Sequence, residues 1–130
     1  MIQEIILRDF PWDEIPWARS NPGINALRIT MPPPLDQEAQ VLILRKNNRP
    51  VAYLVYSVWS NAGYIEIHYL QSDISYQKKG YATELMNWVC SKYSSNYEMR
   101  LYRTSGVADT LLKKWGFENT TGLKWVRKRQ

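Results

Sequence analysis

Three stretches in the middle of the chain keep apolar character over strand-like lengths. Gln40 to Lys46 and Pro50 to Trp59 flank the turn Asn47-Asn48-Arg49, and Tyr64 to Leu70 follows the turn Ser60-Asn61-Ala62-Gly63. Short connections between consecutive strands predict an antiparallel meander. Ile2 to Leu7 is a further β-compatible run. Beyond the meander the period changes. Tyr81, Leu85, Trp88, Val89 and Lys92/Tyr93 recur at three- and four-residue spacing, the stripe of an amphipathic helix. Tyr97 to Arg103 reads as a strand, Val107 to Trp115 as a second helix closed by Gly116 at C′, and Leu123 to Lys128 as a last strand. The predicted order is β, short helices, β-β-β, α, β, α, β: an α/β protein with helices packed on a mixed sheet.

The N-terminal third breaks this regularity. Phe10 to Trp17 mixes aromatics with Pro11 and Pro16, so a short helical turn capped by Asp9 is expected, limited by Pro16. Asn21-Pro22-Gly23 reads as a turn, and Met31-Pro32-Pro33-Pro34 as extended chain. Substrate-facing loops are expected here. No repeat or low-complexity linker divides the 130 residues, so residues 1–130 read as one domain.

Composition narrows the chemistry. Apolar types make up 45% and charged types 22%, a globular mix. The longest apolar run, Val51 to Tyr56, has a strand's length, far short of a membrane span, and the start lacks a signal-peptide pattern. One cysteine, Cys90, excludes an internal disulfide, and one histidine, His68, excludes mechanisms that need two. Neither provides for a zinc site. A soluble, cytoplasmic protein without a metal is the expectation. Net charge is +5, but residues 1–44 carry −3 and residues 45–130 carry +8. That asymmetry fits a polyanion, either nucleic acid or a phosphorylated cofactor, and equally a solvated basic surface.

The segment Gln77-Lys78-Lys79-Gly80-Tyr81-Ala82 lies between the Tyr64–Leu70 strand and the first helix. A glycine loop entering a helix presents backbone N–H groups and the positive end of the helix dipole to a phosphate. Gly80 permits close approach, Ala82 is too small to block it, and Lys78 and Lys79 add charge. The plainer reading is a glycine serving only the turn.

Gln77-x-x-Gly80-x-Ala82 resembles the Gln/Arg-x-x-Gly-x-Gly/Ala pyrophosphate loop of the GNAT N-acetyltransferase superfamily. The resemblance runs from about Tyr64 to Phe117. Lys113-Lys114-Trp115-Gly116-Phe117 is similar to the family's closing segment, and Ala108 falls where a small residue is usual. Glu66-Ile67 to Gly80-Tyr81 with Leu85-Met86-Asn87 looks most like lysine acetyltransferases that act on histone tails. The resemblance implies a mostly antiparallel twisted sheet flanked by helices, with a splayed strand pair binding acetyl-CoA. Its pantetheine arm would lie along Leu70, Gln71 and Ser72, and its pyrophosphate on the amides from Lys78 to Thr83, with Tyr81 and Ala82 among them. Ser105 and Ala108 would complete the cofactor contacts, Ser105 standing where many relatives carry asparagine. Leu112 stands where relatives carry a tyrosine that protonates the leaving thiolate.

Acetyl transfer to an amine needs a neutral nucleophile, hence a base. In the histone-modifying branch the glutamate on this strand is that base, which implies Glu66 here. Strand alternation puts Glu66, His68 and Leu70 on one face and Ile65, Ile67 and Tyr69 on the other. A carboxylate half-withdrawn from water is a better proton acceptor, though Glu66 also reads as a surface carboxylate paired with a lysine. His68 ranks second as base, being also a packed or solvated strand residue. Tyr81 and Tyr102 are substitute acids or core aromatics, water serves as well, and Cys90 reads as core.

The leading expectation is an acetyl-CoA-dependent N-acetyltransferase acting on a primary amine, first of all a protein lysine. A small-molecule amine and a non-catalytic module of the same fold are the alternatives. Trp12, Trp17 and Pro32 to Pro34 would line the acceptor side, whose acidic balance favours a cation. Lys124-Trp125-Val126-Arg127-Lys128-Arg129 has the chemistry of a nucleic-acid contact, but a closing strand with a basic tail explains it more simply. The chain is short for the family, and missing helical cover could come from a second copy in a homodimer.

Overall fold

The apolar run Val51–Tyr56 becomes the middle of a sheet that is covered on both faces. The computed structural model describes residues 1–20, 39–73, 75, 80–102 and 108–130. The described strands are β1 (Ile2–Ile6), β2 (Gln40–Lys46), β3 (Arg49–Trp59), β4 (Tyr64–Ser72), β5 (Glu98–Tyr102), β6 (Glu118–Thr121) and β7 (Lys124–Arg127). Helix α1 spans Tyr81–Tyr93 and α2 spans Asp109–Lys114. The sheet order is β1-β2-β3-β4-β5-β7-β6. Neighbours are antiparallel except β4 and β5, which run parallel. This is the mixed, mostly antiparallel α/β sheet with packed helices that the sequence predicts.

Alternation along the central strands feeds two cores. Leu42, Leu54, Tyr56, Ile65 and Ile67 meet α1 through Leu85, Met86 and Val89 on one face. Val41, Ile43, Tyr53 and Val55 meet Leu7, Phe10, Ile15 and Ala18 on the other. The second face is thus covered by the N-terminal segment up to Ser20, where Phe10 stands edge-on to Tyr53 at 5.3 Å between centroids. That segment corrects an expectation. Its described part is core cover as much as loop, built from two 3-10 turns, Leu7–Asp9 and Pro16–Ser20. Asp9 lies inside the first turn and Pro16 opens the second, so neither caps nor ends a helix. Asn21 to Pro34 lies outside the described residues.

Helix α2 ends as its glycine requires. Gly116 has φ +89°, and the bonds Phe117 N–H to Leu112 C=O (2.9 Å) and Gly116 N–H to Lys113 C=O (3.1 Å) form a Schellman cap. Leu112 and Phe117, brought together by that cap, are both core residues. The described helix begins at Asp109 rather than Val107, and β5 spans Glu98–Tyr102 within the longer predicted strand. One strand was not expected. β6 is exposed at every position and pairs with β7 through the turn at Gly122, so the closing segment is a hairpin. Its sequence, Glu-Asn-Thr-Thr, has no apolar period to reveal it.

Candidate active site

β4 carries the site, and its register explains how. Tyr64 to Ile67 pair with Glu98 to Leu101 of β5, and the pairing stops there. The rest of β4 continues to Ser72 on β3 alone, with Leu70 opposite Leu54, Gln71 opposite Tyr53 and Ser72 opposite Ala52. Among the described residues the parallel partner therefore covers only the first part of β4 and leaves its second part open on that edge. Among the described strands, none pairs with the β5-facing edge of Leu70–Ser72.

A bulge changes the faces. The β3–β4 register jumps from Val55↔Tyr69 to Tyr56↔Ile67, which leaves His68 as an extra residue. Leu70 therefore joins the helix-side core with Ile65 and Ile67, while Tyr69 packs against the opposite core. The expectation that Leu70 shares a face with Glu66 and His68 is overturned for that reason: one inserted residue reverses every side chain beyond it.

The Glu66 carboxylate has a partner for each oxygen. Trp59 Nε1–H donates to Oε1 at 3.3 Å, and His68 Nδ1 lies 3.4 Å from Oε2. His68 Nε2 lies 2.8 Å from Ser57 Oγ. The Glu66 side chain is 26% exposed and that of His68 10%. Burial holds the His68 pKa below the usual histidine value, and the Glu66 charge opposes that shift. No lysine pairs with Glu66 among the described contacts. Its register neighbour on β5, Arg100, bonds Glu98 at 2.6 Å and lies over the Tyr64 ring.

At the far end of β4 a cavity of about 240 Å³ is lined by Ser72, Gly80, Tyr81, Ala82, Thr83, Leu111 and Lys114. Gly80 is the N-cap of α1 at φ +79°, and among the described residues a side chain there would project into open space. The first intrahelical bond is Glu84 N–H to Gly80 C=O at 3.0 Å, so the helix offers no acceptor to the amides of Ala82 and Thr83. Thr83 Oγ1 accepts Trp115 Nε1–H at 3.2 Å, which ties the end of α2 to the first turn of α1. Amides without an intrahelical acceptor at a helix start, open space beside Gly80 among the described residues, and a lysine nearby fit a pyrophosphate. A larger groove of about 560 Å³ between Ile2 and the Glu84–Lys92 side of α1 contains none of the predicted residues.

A model of the acetyltransferase (GNAT) family matches residues 1–117. The chain belongs to that family. A search of curated protein sequences finds no match for this GNAT chain. Its fold is similar to that of Tetrahymena GCN5, with TM-score 0.64 and 16% identity over 90% of this chain and 84% of that one. An IAA acetyltransferase from Bacillus cereus matches at TM-score 0.71 and 14% identity, over 93% and 78%. The ribosomal-protein-S18-alanine N-acetyltransferase from Escherichia coli matches at 0.65 and 13%, over 97% and 90%. These likenesses span differently named GNAT enzymes and establish the fold.

The structure brings five predicted cofactor residues into one cavity, Ser72 and Gly80 to Thr83. Gln71 does not line it; its Oε1 accepts the hydroxyl of Tyr53, a residue of the opposite core, at 2.5 Å. Ala108 is the exposed N-cap of α2 and does not line the cavity. Gln77, Lys78, Lys79 and Ser105 lie outside the described residues. Leu112 is fully buried. Tyr81 lines the cavity and Tyr102 is 39% exposed at the end of β5. Cys90, partly buried against the helix-side core, has its Sγ 3.8 Å from Met99 Sδ, and burial pushes its pKa up. Trp125 is 4% exposed, so its ring is withheld from stacking on bases. No described helix is long and apolar enough to cross a membrane.

Ser57, Trp59, Leu111 and Lys114 escaped sequence reasoning. Ser57 interrupts an otherwise apolar strand, a signal that gains meaning only once β3 is known to pair it with Glu66. Lys114 sits in the segment resembling the family's closing motif, where its side chain had no assigned task.

Proposed function

We propose that this chain is a single-domain, acetyl-CoA-dependent N-acetyltransferase whose acceptor is a primary amine, first of all a protein lysine. The observation carrying the reading is the joint use of β4: a clamped carboxylate lies at its paired end and a glycine-fronted helix start at its parted end. From Glu66 to Ser72 the strand covers roughly 20 Å, a span suited to an extended pantetheine arm. Leu70–Ser72 offer that arm a strand edge, and Gly80 to Thr83 offer its pyrophosphate backbone amides. Lys114 joins them as a mobile positive charge.

Acetyl-CoA, when bound, supplies the activated acetyl group. Glu66 takes a proton from the acceptor ammonium, directly or through water, so that the amine lone pair is free. A cationic acceptor is drawn to the same carboxylate. The amine named for the Escherichia coli neighbour belongs to a protein, which supports a protein acceptor here. A second reading, a non-catalytic acetyl-CoA-binding module, is favoured by the burial of Leu112 at the position relatives use for a thiolate-protonating tyrosine.

Thiol release from acetyl-CoA, measured with a panel of lysine peptides and small amines, tests the proposal. Release that depends on one amine class supports an enzyme and identifies its acceptor. Thermal stabilisation by acetyl-CoA without release on any amine would favour the binding module. Neither stabilisation nor release would reject the reading.

A further inference from the structure

We propose that Ser57 and His68 form a strut that positions the Glu66 carboxylate, with Ser57 selecting the ring nitrogen of His68 that carries the proton. The inference rests on the reading of Glu66 as base. Ser57 is the buried polar side chain among the described residues, 5% exposed in a strand whose neighbouring positions are apolar. A hydroxyl withdrawn from water costs free energy unless it is hydrogen-bonded. Its partner is His68 Nε2 at 2.8 Å.

We assign the ring hydrogen to Nδ1, which faces Glu66 Oε2 at 3.4 Å, because a carboxylate offers acceptors to that nitrogen. A neutral imidazole has one N–H, so Nε2 holds a lone pair and the Ser57 hydroxyl donates to it. Trp59 Nε1–H restrains the other carboxylate oxygen. The bulge that leaves His68 without a β3 register partner seats its ring between Ser57 and Glu66. The order Glu–His–Ser is also that of an acyl-transferring triad, but the Ser57 side chain is buried in the sheet with no surface for an acyl group to approach.

The test uses His68→Asn, whose amide N–H stands in for Nδ1–H but does not titrate, and His68→Gln, whose amide lies at the Nε2 position. A strut predicts that His68→Asn lowers kcat severalfold less than His68→Gln does. His68→Gln and Ser57→Ala should each lower kcat about tenfold, with the acetyl-CoA Kd unchanged. Ser57→Ala should add nothing in the His68→Asn background. Ser57→Cys gives the same direction should the alanine variant fail to fold. His68→Asn falling as far as His68→Gln would mean that the ring itself carries the proton, and the strut is wrong. Additive losses, or an acetyl adduct on Ser57, would also overturn it. Glu66→Gln, assayed alongside, separates the two ideas: near-normal turnover there defeats the base reading, whereas a dead Glu66→Gln with indifferent Ser57 and His68 variants defeats only the strut.

Discussion

The two ends of β4 solve different problems with different parts of the chain. At Tyr64–Ile67 the strand is bonded on both edges, and what it presents is side chains: Glu66, its tryptophan donor and its histidine neighbour. At Leu70–Ser72 β3 is its one partner among the described strands, and the cavity beyond is lined by Ser72 and by Gly80 with the first turn of α1. A rigid, doubly paired frame suits a base that must be aimed. A free edge suits a long ligand that can bond as a strand does. Substitutions should therefore hurt turnover at one end and affinity at the other.

The largest effect should come from Glu66→Gln. Acetyl transfer is expected to fall about 10²–10⁴-fold, while acetyl-CoA affinity measured by calorimetry stays as it was. A loss of affinity instead would erase the contrast between the ends. Gly80→Glu tests the other end. It places a bulky anion before the helix start and strains a φ of +79°. Wild-type protein should gain roughly 2.7 kcal/mol at acetyl-CoA concentrations about 100 times Kd, and the folded variant should show no such thermal shift. A preserved shift would move the pyrophosphate elsewhere.

Leu112→Ala asks whether the tyrosine position still belongs to the site. As a core residue of the Schellman-capped helix it should cost about 2–5 kcal/mol in urea unfolding, with kcat of the folded fraction little changed. A selective loss of kcat would return the position to the chemistry. The smallest effect concerns His68. Its pKa is lowered by folding, so the unfolded chain binds the extra proton first as pH falls below about 6.5. Stability should decline through that window by at most about 1.4 kcal/mol per pH unit. His68→Asn should remove this share of the slope; an unchanged slope would place the titration elsewhere.

The sequence shows the backbone-built end of the site better than the side-chain end. Gly80 and Gly116 are readable because left-handed backbone leaves few alternatives to glycine. Glu66 is readable as a charge in an apolar strand. The Ser57–His68 contact is not, because it depends on a register that skips a residue, and alternation counted along one strand carries no knowledge of its neighbour. Leu70 was assigned to the wrong face for the same reason. β6 was invisible because an exposed polar edge strand has no buried face to write a pattern. The meander and α1, each buried along one clear period, needed no partner to be recognised.

The parallel pairing of β4 with β5 also orders the molecule in time. The β2–β3–β4 meander joins strands through short turns, whereas β5 can reach β4 only after the chain has passed through α1. Loop-closure entropy must be met before such distant contacts form, so this pairing is expected late in folding. The opening between the two strands cannot exist earlier than the pairing that bounds it. A ligand bound there would stabilise contacts expected to form after the folding transition state, so it should prolong the life of the folded protein while leaving its rate of formation nearly unchanged.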